Sequence, residues 1–235
     1  MWPPSKARNA TTSGVAERAA RHMARKRPEI TGGAPAPAQL DLNEKTQTGN
    51  AMYIFGYGSL INSSSRQLTG QTGQAIPAIV HGLVRHWSKI DDSYVLSPLI
   101  VNLGEGQVNG VLLEVDDVAL AEFDRRERGY HRIELKADQI ESQTDFKQDQ
   151  SIWVYIKDDI TAPCENSPIV QTYVDTVMAG CLEVSESFAA HFVEHTQGWH
   201  HPLENDRHQP KYGNLAGVSD HHHSVIDGLI LSVRS

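Results

Sequence analysis

Cysteine is nearly absent: the 235-residue chain holds two, Cys164 and Cys181, too few for a disulfide framework. The chain also shows no secretory apolar segment, and together these absences point to a reducing, cytoplasmic compartment in which both thiols read as buried apolar filler. No run approaches eighteen consecutive apolar residues, which excludes a membrane-spanning helix. Positive charge is scarce too, with 21 Lys and Arg against 29 Asp and Glu, for a formal net charge of −8. Residues 1–51 hold eight Lys and Arg to four Asp and Glu, a surplus of four positive charges, which leaves −12 on the other 184 residues. An acidic body of that kind repels phosphate backbones, so neither nucleic acid nor an anionic membrane surface is expected as a partner.

Residues 1–51 have no sustained apolar periodicity and are dense in Pro, Gly, Ala, Ser and Thr. Such a segment cannot bury a core and is expected to be a disordered extension. Within it, residues 16–27 could form a basic helix, and the single acid among the first 27 residues, Glu17, gives a loose likeness to a transit peptide. Translation starting at Met52 is a further possibility, because the folded pattern begins at Tyr53 with no lead-in.

From Met52 onward the signals are dense, and the length suits one domain. Tyr53-Ile54-Phe55 reads as a strand halted by Gly56-Tyr57-Gly58-Ser59. Further strands are expected at 78–84, 94–96, 99–101, 108–115, 130–135 and 151–156. Asp116 and Asp117 cap a helix expected over 116–128 and ended by Gly129, with others over 169–182, over 186–195 and from 219. Strands first and helices later favour an α+β fold with a curled mixed sheet over a doubly wound α/β one. Trp87 and Trp153 read as core anchors, and Ile169, Tyr173, Val177 and Cys181 as a helix face against the sheet.

Three places could carry chemistry. The first is the glycine loop Gly56-Tyr57-Gly58-Ser59-Leu60, where close glycines let backbone N–H groups turn toward an anion. Position 61 is Ile, so the dinucleotide fingerprint fails. No Gly-Lys-Ser/Thr follows, and Ser59 has Tyr57 rather than Gly two residues before it, so neither a phosphate loop nor a nucleophile elbow is present. Carboxylate capture fits better, although Gly-x-Gly after a strand is also an ordinary turn.

The second is Glu127. At 100° per residue it shares about 60° of helix face with Leu120 and Phe123, while Arg125, Arg126 and Arg128 point elsewhere. Burial and the negative end of the helix dipole both favour its protonated form, and the nearby arginines oppose this. A carboxylate poised toward neutrality suits a proton shuttle, and one paired with an arginine would instead hold helix to sheet. The third is His191-Phe192-Val193-Glu194-His195, which matches the H-x-x-E-H zinc motif. Only Glu204 follows as a glutamate that could complete a catalytic zinc site, and with twelve histidines in the chain chance matches are expected, so the histidines read as surface residues.

In combination the loop and the acid say more than either does alone. The run from Tyr53 to Ile61, Tyr-Ile-Phe-Gly-Tyr-Gly-Ser-Leu-Ile, followed by Phe123-Asp124-Arg125-Arg126-Glu127-Arg128-Gly129-Tyr130, resembles the γ-glutamylcyclotransferase-like superfamily, in wording close to its glutathione-degrading ChaC-type branch. Residues 168–175 and 196–212 are similar to a bacterial subgroup of that superfamily, and the resemblance spans about 52–232. It implies a mixed sheet curled into a small barrel with flanking helices, and a lyase or acyltransferase with no metal or organic cofactor. Its partner would be a small γ-glutamyl molecule, whose α-carboxylate is held by the backbone of Tyr57, Gly58, Ser59 and Leu60. Glu127 maps onto the general acid/base for cyclisation to 5-oxoproline, and Tyr130 and Tyr155 onto hydroxyl donors to the substrate. The rival readings are a carboxylate-binding module of the same fold without turnover and, further off, a zinc hydrolase using His191 and His195. The glutathione, γ-glutamyl amino acid and γ-glutamylamine substrates all stay open.

Overall fold

A computed structural model describes residues 51–69, 73–90, 94–127, 129–144 and 150–234; the extension expected over residues 1–51 falls outside them but for Ala51, as does Arg128. In chain order the elements are β1 (Met52–Gly56), α1 (Ser63–Leu68), β2 (Ala75–Trp87), β3 (Leu99–Val115), α2 (Asp117–Arg126), β4 (His131–Leu135), β5 (Ile140–Ser142) and β6 (Ser151–Ile156). There follow β7 (Ile169–Val170), α3 (Gln171–Val184), α4 (Glu186–Glu194), β8 (Thr196–Gln197), β9 (Leu203–Glu204) and α5 (Asp220–Arg234). Among the described residues no helix is long and apolar enough to cross a membrane.

The main sheet runs β4-β6-β1-β3-β2-β5, with β8 added beside β2. β1 lies at its centre, antiparallel to β3 and parallel to β6, which is where an uninterrupted apolar run such as Tyr53-Ile54-Phe55 belongs. On one face Phe55, Val80, Leu83, Val101, Leu112 and Val154 form a core cluster whose buried members are all strand residues. The sheet therefore curls round its own side chains, as expected for a barrel-like fold, but the pairing ends at β4 and β5 without closing. On the other face Trp87, Leu99, Val111 and Leu113 pack against α3, α4 and α5. Each such side chain taken out of water contributes roughly 1.5–3 kcal/mol.

The structure differs from the sequence expectation in several ways. The separate strands expected at 99–101 and 108–115 are one strand, β3. The glycines between them mark close contact rather than a break, since a Cβ on Gly106 would lie 2.6 Å from the Leu83 carbonyl oxygen, beside the bulge in β2 between His81 and Leu83. The strand expected at 94–96 is absent because loop bonds hold that segment: the Ser97 amide donates to Pro168 O at 2.8 Å and the Ser167 hydroxyl to Tyr94 O at 2.6 Å. α2 ends at Arg126, two residues early, and Ile169 belongs to β7 rather than α3. α3 is more than an amphipathic face: its first eleven residues, Gln171 through Cys181, are all buried. Trp153 and Cys164 are only partly buried, whereas Trp87 and Cys181 lie in the core.

Candidate functional site

A cavity of about 160 Å³ opens where β1 ends, between α2 and the start of α3. Its wall holds all of the sequence-predicted residues together: Tyr57, Gly58, Ser59, Leu60, Glu127, Tyr130 and Tyr155. Pro98, Leu99, Phe123 and Tyr173 line it as well, with the end of β1.

The loop is polarised. After β1 the chain makes a single 3₁₀ turn, Ser59–Ile61, with Ile61 N–H on Gly58 O at 2.9 Å and Asn62 N–H on Ser59 O at 3.2 Å. Two buried arginines hold the other carbonyls. Arg66 Nη1 donates to Leu60 O and Ile61 O, each at 2.8 Å, and Arg85 Nη1 to Tyr57 O at 3.3 Å. Thus every carbonyl from Tyr57 to Ile61 is engaged, while among the described residues the amides of Gly58, Ser59 and Leu60 have no backbone acceptor, as is normal for the first residues of a helical turn. Space is tight at Gly58, where a Cβ would sit 2.9 Å from the Tyr173 hydroxyl.

Arg85 has no signal in the sequence beyond its place in a strand, yet it is fully buried. Its Nε donates to Thr196 Oγ1 at 2.8 Å, Nη1 to Asn109 O at 2.8 Å, and Nη2 to Asn109 Oδ1 at 2.8 Å and Phe192 O at 3.2 Å. Its guanidinium also lies 3.5 Å from the Phe192 ring centroid. Among the described residues no carboxylate pairs with it. Burial pushes its pKa down to about 9, with Cys181, Tyr173 and Tyr57 opposing the shift, so at neutral pH it remains a cation. An unmatched positive charge behind the loop favours an anion in front of it.

Glu127 is the C-terminal cap of α2 rather than part of its last turn. The expected geometry holds nonetheless, for Leu120 and Phe123 are buried while Arg125 and Arg126 are exposed. Burial raises the Glu127 pKa above the ordinary glutamate value of 4.5, and Arg126 pulls the other way. Among the described residues Glu127 forms no ion pair with an arginine.

Three phenols surround it. The Tyr57 hydroxyl donates to Tyr155 O at 2.8 Å. The pKa values of Tyr57, Tyr130 and Tyr173 are all raised, first by burial and then by neighbours that in each case include Glu127. Tyr155 departs from expectation: its hydroxyl donates to Asp124 Oδ1 at 2.7 Å, and Asp124 also takes both carboxylate bonds from Arg132. That hydroxyl is committed within the protein, so Tyr155 meets the cavity through its ring and carbonyl rather than as a donor to a ligand. Tyr173, read from the sequence only as helix packing, stands on the cavity wall and also packs edge-on against Trp87, with ring centroids 5.7 Å apart.

The histidine motif lies elsewhere. The His191 and His195 rings stack on each other at 4.1 Å, and neither lines the cavity. Among the described residues no three His, Cys, Asp or Glu side chains gather as a metal site.

A solved structure of a gamma-glutamyl cyclotransferase is similar to this chain, with 16% identity, a TM-score of 0.50, and coverage of 76% of this chain and 99% of the other. An uncharacterised protein from Homo sapiens matches with 16% identity, a TM-score of 0.51 and the same coverages. YkqA from Bacillus subtilis matches with 20% identity, a TM-score of 0.50, and 66% of this chain against 57% of its own. These likenesses concern the fold. No curated protein sequence matches the chain significantly. Residues 54–173, about half of the chain, match the family described as gamma-glutamyl cyclotransferase, AIG2-like; that span runs from β1 through the loop and Glu127 to Tyr173, and the chain belongs to this family.

Proposed function

We propose that this protein cyclises a small γ-glutamyl compound, releasing 5-oxoproline and an amine, amino acid or peptide. The observation that carries the reading is Glu127, a half-buried carboxylate of raised pKa on the wall of the same cavity as a loop with unengaged amides and a buried cation behind it. In this reading the amides of Gly58, Ser59 and Leu60 bind the substrate α-carboxylate. Glu127 accepts a proton from the α-ammonium, and the freed amine attacks the γ-carbonyl. As the γ-carbon–nitrogen bond breaks, the protonated Glu127 returns its proton to the departing amine, and the second proton of the ring nitrogen follows, so that 5-oxoproline forms and the amine leaves as its ammonium ion. Nucleophile and electrophile both belong to the substrate, so the protein supplies orientation, which lowers the entropic part of the barrier, and acid–base catalysis worth roughly 10²–10⁴-fold. In this reading the Tyr130 hydroxyl donates to the substrate, and Tyr57, its hydroxyl on Tyr155 O, lines the cavity beside it.

The test is 5-oxoproline release by the full chain from glutathione, γ-glutamyl-alanine and γ-glutamyl-ε-lysine, beside Glu127→Gln. Turnover of at least one of them, lost at least a hundredfold in the variant, is the expected result. A folded protein that binds these compounds and turns over none would instead be a binding module of the same fold.

A further inference from the structure

The cavity does not end at its own wall. A second hollow of about 390 Å³ adjoins it, with Ser59, Pro98 and Tyr173 lining both. Tyr94, Val95, Leu96 and Tyr212 form the rest of its lining, and none of the described residues that line it is charged. The two hollows therefore meet at the glycine loop and the start of α3. Tyr173 and Tyr212 stand 4.7 Å apart between ring centroids, making one aromatic side. The nearest cation in sequence to Tyr212, Lys211, is already paired with Glu204 at 2.6 Å.

A γ-glutamyl compound held by the loop has one other end, the amine that departs. We infer that the second hollow receives this leaving group and selects γ-glutamyl amides whose departing amine carries an uncharged aromatic or branched aliphatic group. This rests on the reaction proposed above. Exposed side chains such as Val95, 62% accessible, gain from covering by an apolar group. The Cys-Gly leaving group of glutathione ends in a carboxylate, and placing it against this lining strips water from a charge that finds no cation among the described lining residues. Glutathione is therefore a poor substrate. An aromatic leaving amine gains about tenfold or more in kcat/KM over a short alkyl one, the scale on which apolar pockets discriminate.

The experiment compares kcat/KM of the full chain for γ-glutamyl-phenethylamine, γ-glutamyl-ethylamine and glutathione, each by 5-oxoproline release. The expected order puts phenethylamine at least tenfold above both others. Val95→Asp, at an exposed position, should lower the phenethylamine value at least fivefold more than the ethylamine value. Equal values for the two amines, a preference for glutathione, or an equal effect of Val95→Asp on both amines would overturn the subsite while leaving the reaction standing. No turnover of any compound would overturn the reaction and the subsite together.

Discussion

Glu127 has a raised pKa in the folded chain, so the folded state keeps its proton to a higher pH than the unfolded chain does. Its favourable contribution is complete below the ordinary value of 4.5 and is lost as pH rises through the raised value. Glu127→Gln cannot ionise and escapes that loss. Its Tm should exceed the parent's by about 1–3 °C at neutral pH, with the gap closing below pH 4.5, as followed by thermal unfolding across pH. In the parent, the acid limb of the kcat/KM profile should lie above the ordinary glutamate range, because the deprotonated form must begin the reaction. Arg85 makes the opposite kind of residue-scale case: a buried cation whose partners are neutral acceptors. Arg85→Ala leaves Asn109 O, Asn109 Oδ1 and Thr196 Oγ1 without this donor, and should lower stability by about 3–5 kcal/mol in urea unfolding.

At the scale of elements, the site depends on β1 delivering a turn against the first residues of α3. A Cβ at Gly58 would meet the Tyr173 hydroxyl at 2.9 Å. Gly58→Ala should therefore cost about 1–3 kcal/mol through that one contact. Removing the hydroxyl as well, in Gly58→Ala with Tyr173→Phe, should recover at least about 0.5 kcal/mol of the summed single losses, the coupling that a double-mutant cycle by urea unfolding resolves. Additive losses would mean that the glycine serves some other end.

Across the whole molecule, α3 is held in place by a charged clasp. Arg207 reaches Asp175 on α3 through Nε at 2.7 Å and Nη2 at 2.8 Å, and Asp227 on α5 through Nη1 at 2.9 Å and Nη2 at 2.7 Å. Asp206 caps the same region, accepting from the Thr172 amide and hydroxyl and from the Lys211 amide. Asp175 is buried, while Asp227 has a side chain 54% exposed. Arg207→Ala, which leaves the buried Asp175 carboxylate only Gln171 Nε2 at 2.9 Å and His223 Nε2 at 3.8 Å, should cost about 3 kcal/mol, whereas Asp227→Ala should cost about 1 kcal/mol or less. Urea midpoints separate the two. Because α3 carries Tyr173, activity in Arg207→Ala should fall with the folded fraction.

The longer strands, the helices α2 to α5 and the face on which Glu127 lies were legible along the chain, because alternation, capping residues and helical spacing are local quantities, whereas α1, β5 and the two-residue strands β7, β8 and β9 were not. The glycine loop was legible as a place, and its pairing with the acid pointed to the family. What made the loop a polarised one was not legible, since Arg85 draws on Asn109, Phe192 and Thr196, which lie 24, 107 and 111 residues further on. The same holds for Tyr173, whose spacing speaks only of packing, and for Tyr155, whose hydroxyl is claimed by Asp124 31 residues before it. Sequence period determines which side of an element is buried; which buried groups meet, and so which hydroxyls and amides remain for a ligand, is decided only when distant segments close on one another.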